Sequence, residues 1–115
     1  MKKLFRILLF ISICITNSKL QASTCILTGT TVTLTRQSEV DSFPINYPGC
    51  DVVEGDLVIS GSDIVNLNGL NLIKEFKNSL EITNNPNLIS LNGLNNLQSV
   101  FGILLISNNI NLTSL

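Results

Sequence analysis

The acidic residues and the cysteines are the side chains of this sequence that could do chemistry, because the chain contains no histidine. Histidine is the most common general base and a common metal ligand, so its absence removes both roles. The acids concentrate at Asp51, Glu54, Asp56 and Asp63, with Glu81 further on. Two carboxylates suffice for glycoside hydrolysis, whereas a calcium loop needs a spacing such as D-x-D-x-D-G, which these acids lack. We expect solvated carboxylates here, with no metal site, no catalytic residue and no cofactor.

The first 22 residues have the layout of a secretory signal peptide. A short basic region, residues 1–6, precedes an apolar run over residues 7–15, and the segment ends in the small residue Ala22. The apolar run is shorter than the roughly 20 residues that a membrane-spanning helix needs. We therefore expect cleavage after Ala22, a location outside the cell or on its surface, and no membrane span in the mature chain. A buried N-terminal helix and a lipoprotein-type cleavage before Cys25 are the alternatives.

Export leaves Cys25 and Cys50 as an even pair in an oxidising compartment, because Cys14 is removed with the signal peptide. A metal site needs more ligands than two cysteines. A cysteine nucleophile needs a basic partner, which this chain lacks. We therefore expect a disulfide between Cys25 and Cys50.

The segment between these cysteines has the features of a cap. Residues 26–34 alternate loosely between apolar and polar and predict a short strand. Ser38 and Asp41 resemble a capping box, and they predict a short helix over residues 38–43. Residues 23–50 thus predict an N-terminal cap that covers the open apolar end of the segment that follows.

The rest of the chain repeats with a period of 23 or 24 residues, which lies in the leucine-rich-repeat range. A three-residue strand recurs as Leu57–Ile59, Leu80–Ile82 and Leu104–Ile106. The first and last residue of each should point inward and the middle one outward, because strand side chains alternate. Apolar residues three apart follow each strand, and they predict a 3₁₀-like or turn-rich side. This side contains Ile64, Leu67, Leu70, Leu88, Leu91, Leu94, Leu112 and Leu115.

Corresponding positions begin at Cys50, Ile73 and Leu97, which we take as the starts of repeats one, two and three. A single repeat buries too little apolar surface to fold alone, whereas stacked repeats bury each other's faces. We predict an all-β fold, a short β-helix or solenoid of 23–24-residue leucine-rich repeats over residues 51–115. The sequence stops within repeat three, so we expect a longer protein that continues into further repeats or an anchoring or sorting domain.

Glycine and asparagine recur where the repeats should turn. Gly55, Asn78 and Gly102 share one position, where we expect a positive φ. Stacked asparagines could form ladders that satisfy the turn backbone, and turn preference alone is the other explanation. The pairs are Asn84 with Asn108, Asn85 with Asn109, and Asn68 with Asn92.

The order of these features resembles the receptor L domain, which forms the ligand-binding lobes of the epidermal growth factor and insulin receptors. In that family a cysteine-bridged N-terminal helix precedes a Val-Val-x-Gly-(Asn/Asp)-Leu-x-Ile strand, as Cys25, a short helix, Cys50 and Val52–Ile59 do here. Residues 39–50 and 91–100 are similar to secreted Bacteroidetes L-domain proteins, which often carry a sorting domain for type IX secretion. The resemblance implies a short right-handed β-helix. It identifies no ligand-contacting residue, because no local motif for one is present.

These features predict a secreted or cell-surface binding or adhesion module, without catalysis, that recognises a protein or a glycan through its outward face. Beyond residue 22, three basic residues oppose eight acids, a net charge of −5 that argues against nucleic acid as the partner. One alternative is a structural spacer in a large surface adhesin, and another is a carbohydrate-active β-helix enzyme that uses two of the acids. The candidate binding face comprises Val58, Ser60, Glu81, Thr83, Leu105 and Ser107.

Overall fold

The structure is a computed structural model that describes residues 24–114. The predicted signal peptide, residues 1–22, lies outside the described residues. The described chain is mostly β, with six strands, two short α-helices and two 3₁₀ turns. The strands are β1 (Thr24–Leu34), β2 (Val52–Ile59), β3 (Glu75–Phe76), β4 (Leu80–Thr83), β5 (Ser99–Val100) and β6 (Leu104–Ser107). The helices are α1 (Gln37–Asp41) and α2 (Phe43–Asn46), and the 3₁₀ turns are Asn68–Leu70 and Asn92–Leu94.

All strand pairs in the described chain run parallel. The long strand β2 pairs with β3 through its first half and with β4 through its second half. In turn, β3 pairs with β5 and β4 pairs with β6. The register sets Leu57 beside Leu80 and Leu80 beside Leu104. Corresponding positions of the three repeats are therefore neighbours in the sheet.

The core lies between the strands and the turn side of the repeats. Leu57 and Ile59 of β2, and Leu80 and Ile82 of β4, are fully buried. This is the alternation predicted for strands with one buried face. Leu104, at the corresponding position of repeat three, is 51% exposed because it lies in the edge strand β6.

The turn side of the core includes the two 3₁₀ turns, as the spacing of its leucines predicts. Each turn carries a glycine that lets neighbouring layers approach closely. A Cβ added to Gly69 would overlap the Val40 carbonyl, and one added to Gly93 would overlap the Leu67 carbonyl. Glycine is needed at both positions because backbone, rather than a movable side chain, occupies the space.

The cap packs on repeat one through β1, which is longer than the predicted strand because its pairing with β2 begins at Thr24. Thr24–Ile26 pair with Val52–Glu54, and Thr31–Leu34 pair with Asp56–Ile59. Paired residues of β1 and β2 differ in number by 28 in the first half of β1 and by 25 in the second half. The strand β1 therefore contains three extra residues at an irregularity in its middle. The Cys25–Cys50 disulfide is confirmed, with Cα atoms 5.5 Å apart, and it ties β1 to the chain just before β2.

The predicted short helix is present as α1 and α2, but its capping box is wrong. The residue before α1 is Arg36, whose backbone is extended, and no side chain caps this end. Glu39 instead accepts a hydrogen bond from the Thr35 backbone N–H at 2.7 Å. The acid that contacts the backbone at this helix start is therefore Glu39 and not Asp41. Val40 and Phe43 are buried, so the two helices cover the open end of repeat one with apolar side chains.

One glutamine fastens the cap to the turn side of repeat one. Gln37 Oε1 accepts hydrogen bonds from the backbone N–H groups of Val65, at 2.8 Å, and Asn66, at 3.1 Å. Gln37 Nε2 donates to Asp41 and to Asn66. The Gln37 backbone N–H donates to Asp63. Side-chain hydrogen bonds therefore supplement the disulfide in holding the cap.

The predicted positive φ holds for Gly55, at +118°, and is wrong for Asn78 and Gly102. Asn78 contributes through its side chain, whose Oδ1 accepts the Gly55 N–H at 3.0 Å. Gly102 is needed for clearance, because a Cβ there would lie 2.7 Å from the Asn78 carbonyl carbon. The left-handed asparagines are Asn84 and Asn108, each with φ of 56°.

The asparagine ladder is present at Asn85 and Asn109. Asn85 Nδ2 donates to Asn109 Oδ1 at 2.9 Å and to the Ile59 carbonyl at 3.0 Å. Asn109 Nδ2 donates to the Ile82 carbonyl at 2.8 Å. Of the three predicted pairs, all within the described residues, this is the pair joined by a hydrogen bond.

Candidate binding face

The middle residues of the strands form a column across the outward side of the sheet. Val58 pairs with Glu81 and Glu81 with Leu105, while Thr33 of β1 lies on the other side of Val58. Neighbouring strands lie about 4.8 Å apart, so the four side chains follow one another at that interval. We call Thr33, Val58, Glu81 and Leu105 the central column. The structure thus brings together three residues of the predicted face and adds Thr33 to them.

The hydroxyl residues of the predicted face lie at the strand ends. Thr83 pairs with Ser107 in the register of β4 and β6. Ser60 follows β2 directly, and its backbone N–H donates to the Leu34 carbonyl at 2.9 Å. All three are half-buried, and they form a polar border along one side of the central column.

The acids do not converge on one site. Asp56 pairs with Thr31 in register whereas Glu81 pairs with Val58, so the two carboxylates stand in different columns. Asp56 Oδ1 accepts the Ser79 N–H at 3.0 Å, and this hydrogen bond joins repeats one and two. The described residues contain no group of three or more His, Cys, Asp or Glu side chains placed to hold a metal ion.

A second outward column lies on the other side of the bend at Gly55, and the sequence analysis overlooked it. Its members are Ile26 and Glu54, which pair in register, and the corresponding residues Lys77 and Phe101 of repeats two and three. Lys77 Nζ lies 5.9 Å from the Phe101 ring centroid, which links the two repeats by a cation–π contact. Its members in the three repeats each stand one residue before Gly55, Asn78 or Gly102, so a comparison of the repeats at that position would have found the column.

Charge on the outward side is predominantly negative. Lys77 lies on this side, and its Nζ lies 3.4 Å from Glu75 Oε1. Glu54 is exposed and Glu81 is half-buried in the central column. The outward side therefore presents the carboxylates of Glu54 and Glu81 beside the ion pair of Lys77 with Glu75.

Parallel strands in repeat register, an apolar interior and a disulfide-tied cap define a class of repeat-built β domain that presents columns of side chains outward. The family model of the receptor L domain matches residues 49–115, more than half of the chain, and the chain belongs to that family. Receptor L domains are extracellular ligand-binding modules without catalytic activity. No curated protein matches the chain. Within residues 24–114, every helix is too short or too polar to cross a membrane.

Proposed function

We propose that this protein is a secreted or cell-surface binding module that recognises a protein or a glycan through its outward strand face and catalyses no reaction itself. The observation that carries the proposal is the receptor L domain match over residues 49–115, since that family binds ligands outside cells. The Cys25–Cys50 disulfide supports it, because disulfides persist in oxidising compartments. The signal-peptide layout of residues 1–22 supports export in the same way.

The contrast between inward and outward positions supports a binding role for the face. The inward position Leu57, Leu80 and Leu104 is leucine in all three repeats. The next position, which faces outward, changes from aliphatic to acidic to aliphatic, as Val58, Glu81 and Leu105. Parallel repeats stacked as a right-handed leucine-rich solenoid would present such positions as one extended surface. We assign recognition to Val58, Ser60, Glu81, Thr83, Leu105 and Ser107.

The face can be tested with matched double variants on opposite sides of the repeats. Val58→Lys with Leu105→Lys changes the central column, and Val65→Lys with Ile89→Lys makes the same change in charge at exposed residues outside the strands. The purified protein is applied to a glycan array and to a panel of extracellular proteins. For any probe that binds the parent, we expect the face variant to weaken binding at least about tenfold, which is 1.4 kcal/mol. The control variant should bind as the parent does.

Three results would contradict the proposal. Equal loss in both double variants would mean that neither side is the specific face. Unchanged binding by the face variant would move recognition elsewhere. Binding to no probe at all would favour the structural spacer, whose repeats need no ligand.

Export is tested separately by the intact mass of the native product in the culture medium and in cell-surface fractions. We expect a chain that starts at Ser23 and gains two hydrogens on reduction, because the signal peptide is removed and the one disulfide opens. A product found inside cells that retains residues 1–22 and free thiols would contradict the location and the binding role that depends on it.

A further inference from the structure

The outward side of repeat three carries an exposed apolar strip. Phe101 and Ile103 are each 67% exposed, and Leu105 is 42% exposed. Ile103 and Leu105 face outward because Leu104 and Ile106 occupy the alternate positions, which are fully buried in repeat two. We call Phe101, Ile103 and Leu105 the outer ridge.

The corresponding positions of the other repeats are mostly polar. Repeat two has Lys77, Ser79 and Glu81, and repeat one has Glu54, Asp56 and Val58. Repeat two has strands on both sides, yet the Lys77 side chain is still 50% exposed. Ser79 and Glu81, at the positions of Ile103 and Leu105, are half-buried, so outward side chains keep part of their exposure when strands flank them. An exposed apolar patch with a polar border is typical of an interaction site.

Several polar groups beside the ridge already have partners within the protein. Ser79 Oγ accepts the Ile103 backbone N–H at 3.1 Å, and the Ser79 backbone N–H donates to Asp56 at 3.0 Å. Glu75 is paired with Lys77. A sugar is held largely by side-chain hydrogen bonds to its hydroxyls, and the three side chains of the outer ridge can make none. Apolar contact dominates instead, as it does at the centre of protein–protein interfaces.

The charges around the ridge indicate which protein surface would fit it. Repeats one and two, residues 50–96, hold six acids against the two bases Lys74 and Lys77, a net charge of −4. The nearest row lies about 4.8 Å from the ridge strand and the next row twice as far. Complementary charge across an interface favours the matching partner and repels a like-charged one.

We propose that the outer ridge is the centre of the binding face and that its partner is a protein surface with apolar side chains at the middle and lysines or arginines on one flank. Phe101, Ile103 and Leu105 enter the apolar middle of that surface. The carboxylates of repeats one and two meet its basic flank. This inference rests on the proposed binding function and adds to it the chemical class of the partner.

Extended peptides serve as probes of this chemistry with the purified protein. One alternates leucine with lysine, the second replaces lysine by glutamate, and the third replaces leucine by serine. Titration calorimetry compares the parent with Phe101→Ser plus Ile103→Ser, and with a control of Val65→Ser plus Ile89→Ser. We expect the leucine–lysine peptide to bind at least about tenfold more tightly than the other two. The ridge variant should lose that difference and the control variant should keep it.

Other outcomes would overturn the inference. Equal binding of all three peptides, or of the leucine–lysine peptide to parent and ridge variant, would show that the ridge does not select this chemistry. Sedimentation that shows a dimer abolished by the ridge variant would make a second copy of the chain the occupant. Glycan binding through the face, without peptide binding, would remove the protein partner and leave the proposed function intact. Failure of the proposed function itself would appear as no binding by either face variant or parent to any array probe.

Discussion

The Asn85 side chain is the fully buried polar group among the described side chains, so its replacement is a direct test of what joins the repeats. Its Oδ1 accepts the Gly61 N–H at 2.8 Å, and its Nδ2 donates to the Ile59 carbonyl at 3.0 Å. The Asn85→Ala variant removes both contacts and the side-chain hydrogen bond to Asn109 Oδ1, while the backbone N–H of residue 85 keeps its own bond to that oxygen. A buried backbone group left without a partner costs about 1–3 kcal/mol. For two such groups we expect the free energy of unfolding to fall by about 3 kcal/mol.

Asn87→Ala is the matched control, because it makes the same chemical change two residues away. Asn87 Nδ2 donates to the Ser62 carbonyl at 2.6 Å, but this contact is exposed and water can replace the lost donor. We expect a loss below about 1 kcal/mol.

Urea unfolding followed by circular dichroism compares the two variants, since the chain has no tryptophan for fluorescence. The slope with urea should stay constant while the midpoint shifts. A difference below about 1 kcal/mol between Asn85→Ala and Asn87→Ala would refute the assignment of inter-repeat stability to the buried amide, because exposure is what separates the two sites.

Two further perturbations act on the cap and on the turn side. Changing Cys25 and Cys50 together to serine should lower the free energy of unfolding by about 3.5 kcal/mol, from the loop that the disulfide closes. A denaturation midpoint equal to that of the oxidised parent would contradict this. Gly93→Ala should cost about 3 kcal/mol, because the new Cβ overlaps backbone and the layers must separate. Gly49→Ala is its control in thermal melts: it has open space and only a positive φ, which costs about 1 kcal/mol. Equal melting temperatures for the two variants would refute the close-approach argument.

The repeat period predicted the strand register because a register is set by which apolar residues face the core. A spacing of 23 or 24 residues brings Leu57, Leu80 and Leu104 to one position, and those residues pair in the structure. The disulfide followed from counting the cysteines that an exported chain retains. Both predictions depend on patterns that extend over many residues, so no single local choice could overturn them.

Local interactions were harder to predict, because several nearby groups can satisfy the same backbone atom. Ser38 and Asp41 match a capping pattern, yet Glu39 bonds to the backbone at that helix start. Gly55 and Gly102 occupy the same repeat position for different reasons, one for its positive φ and the other for clearance from Asn78. The sequence shows only that glycine is present at each position. The neighbouring repeat in the structure shows whether the glycine is needed for its backbone angle or for clearance.

The predicted face was built from the centres and the far ends of the strands, so it did not include Phe101 and Ile103. Phe101 and Ile103 lie just outside β5 and β6, on either side of Gly102, so a search of the strand residues alone does not reach them. Their corresponding residues Lys77 and Ser79 are polar, so no apolar repeat marked these positions. Exposure of 67% at each residue is the observation that identified them.

Inward and outward positions of this protein are under separate physical constraints, which explains why the family is readable from the sequence and the ligand is not. An inward residue must fit the layer on each side, so at Leu57 and Leu80 a smaller residue would open a cavity and a larger one would overpack the core. An outward residue meets only its column neighbours and whatever docks on it. At one outward position the side chain is acidic in repeat one (Glu54), basic in repeat two (Lys77) and uncharged in repeat three (Phe101). The adjacent strands keep their pairing register throughout. Selection for a ligand can therefore act on the outward series without disturbing the fold, and the ligand has to be sought from the face.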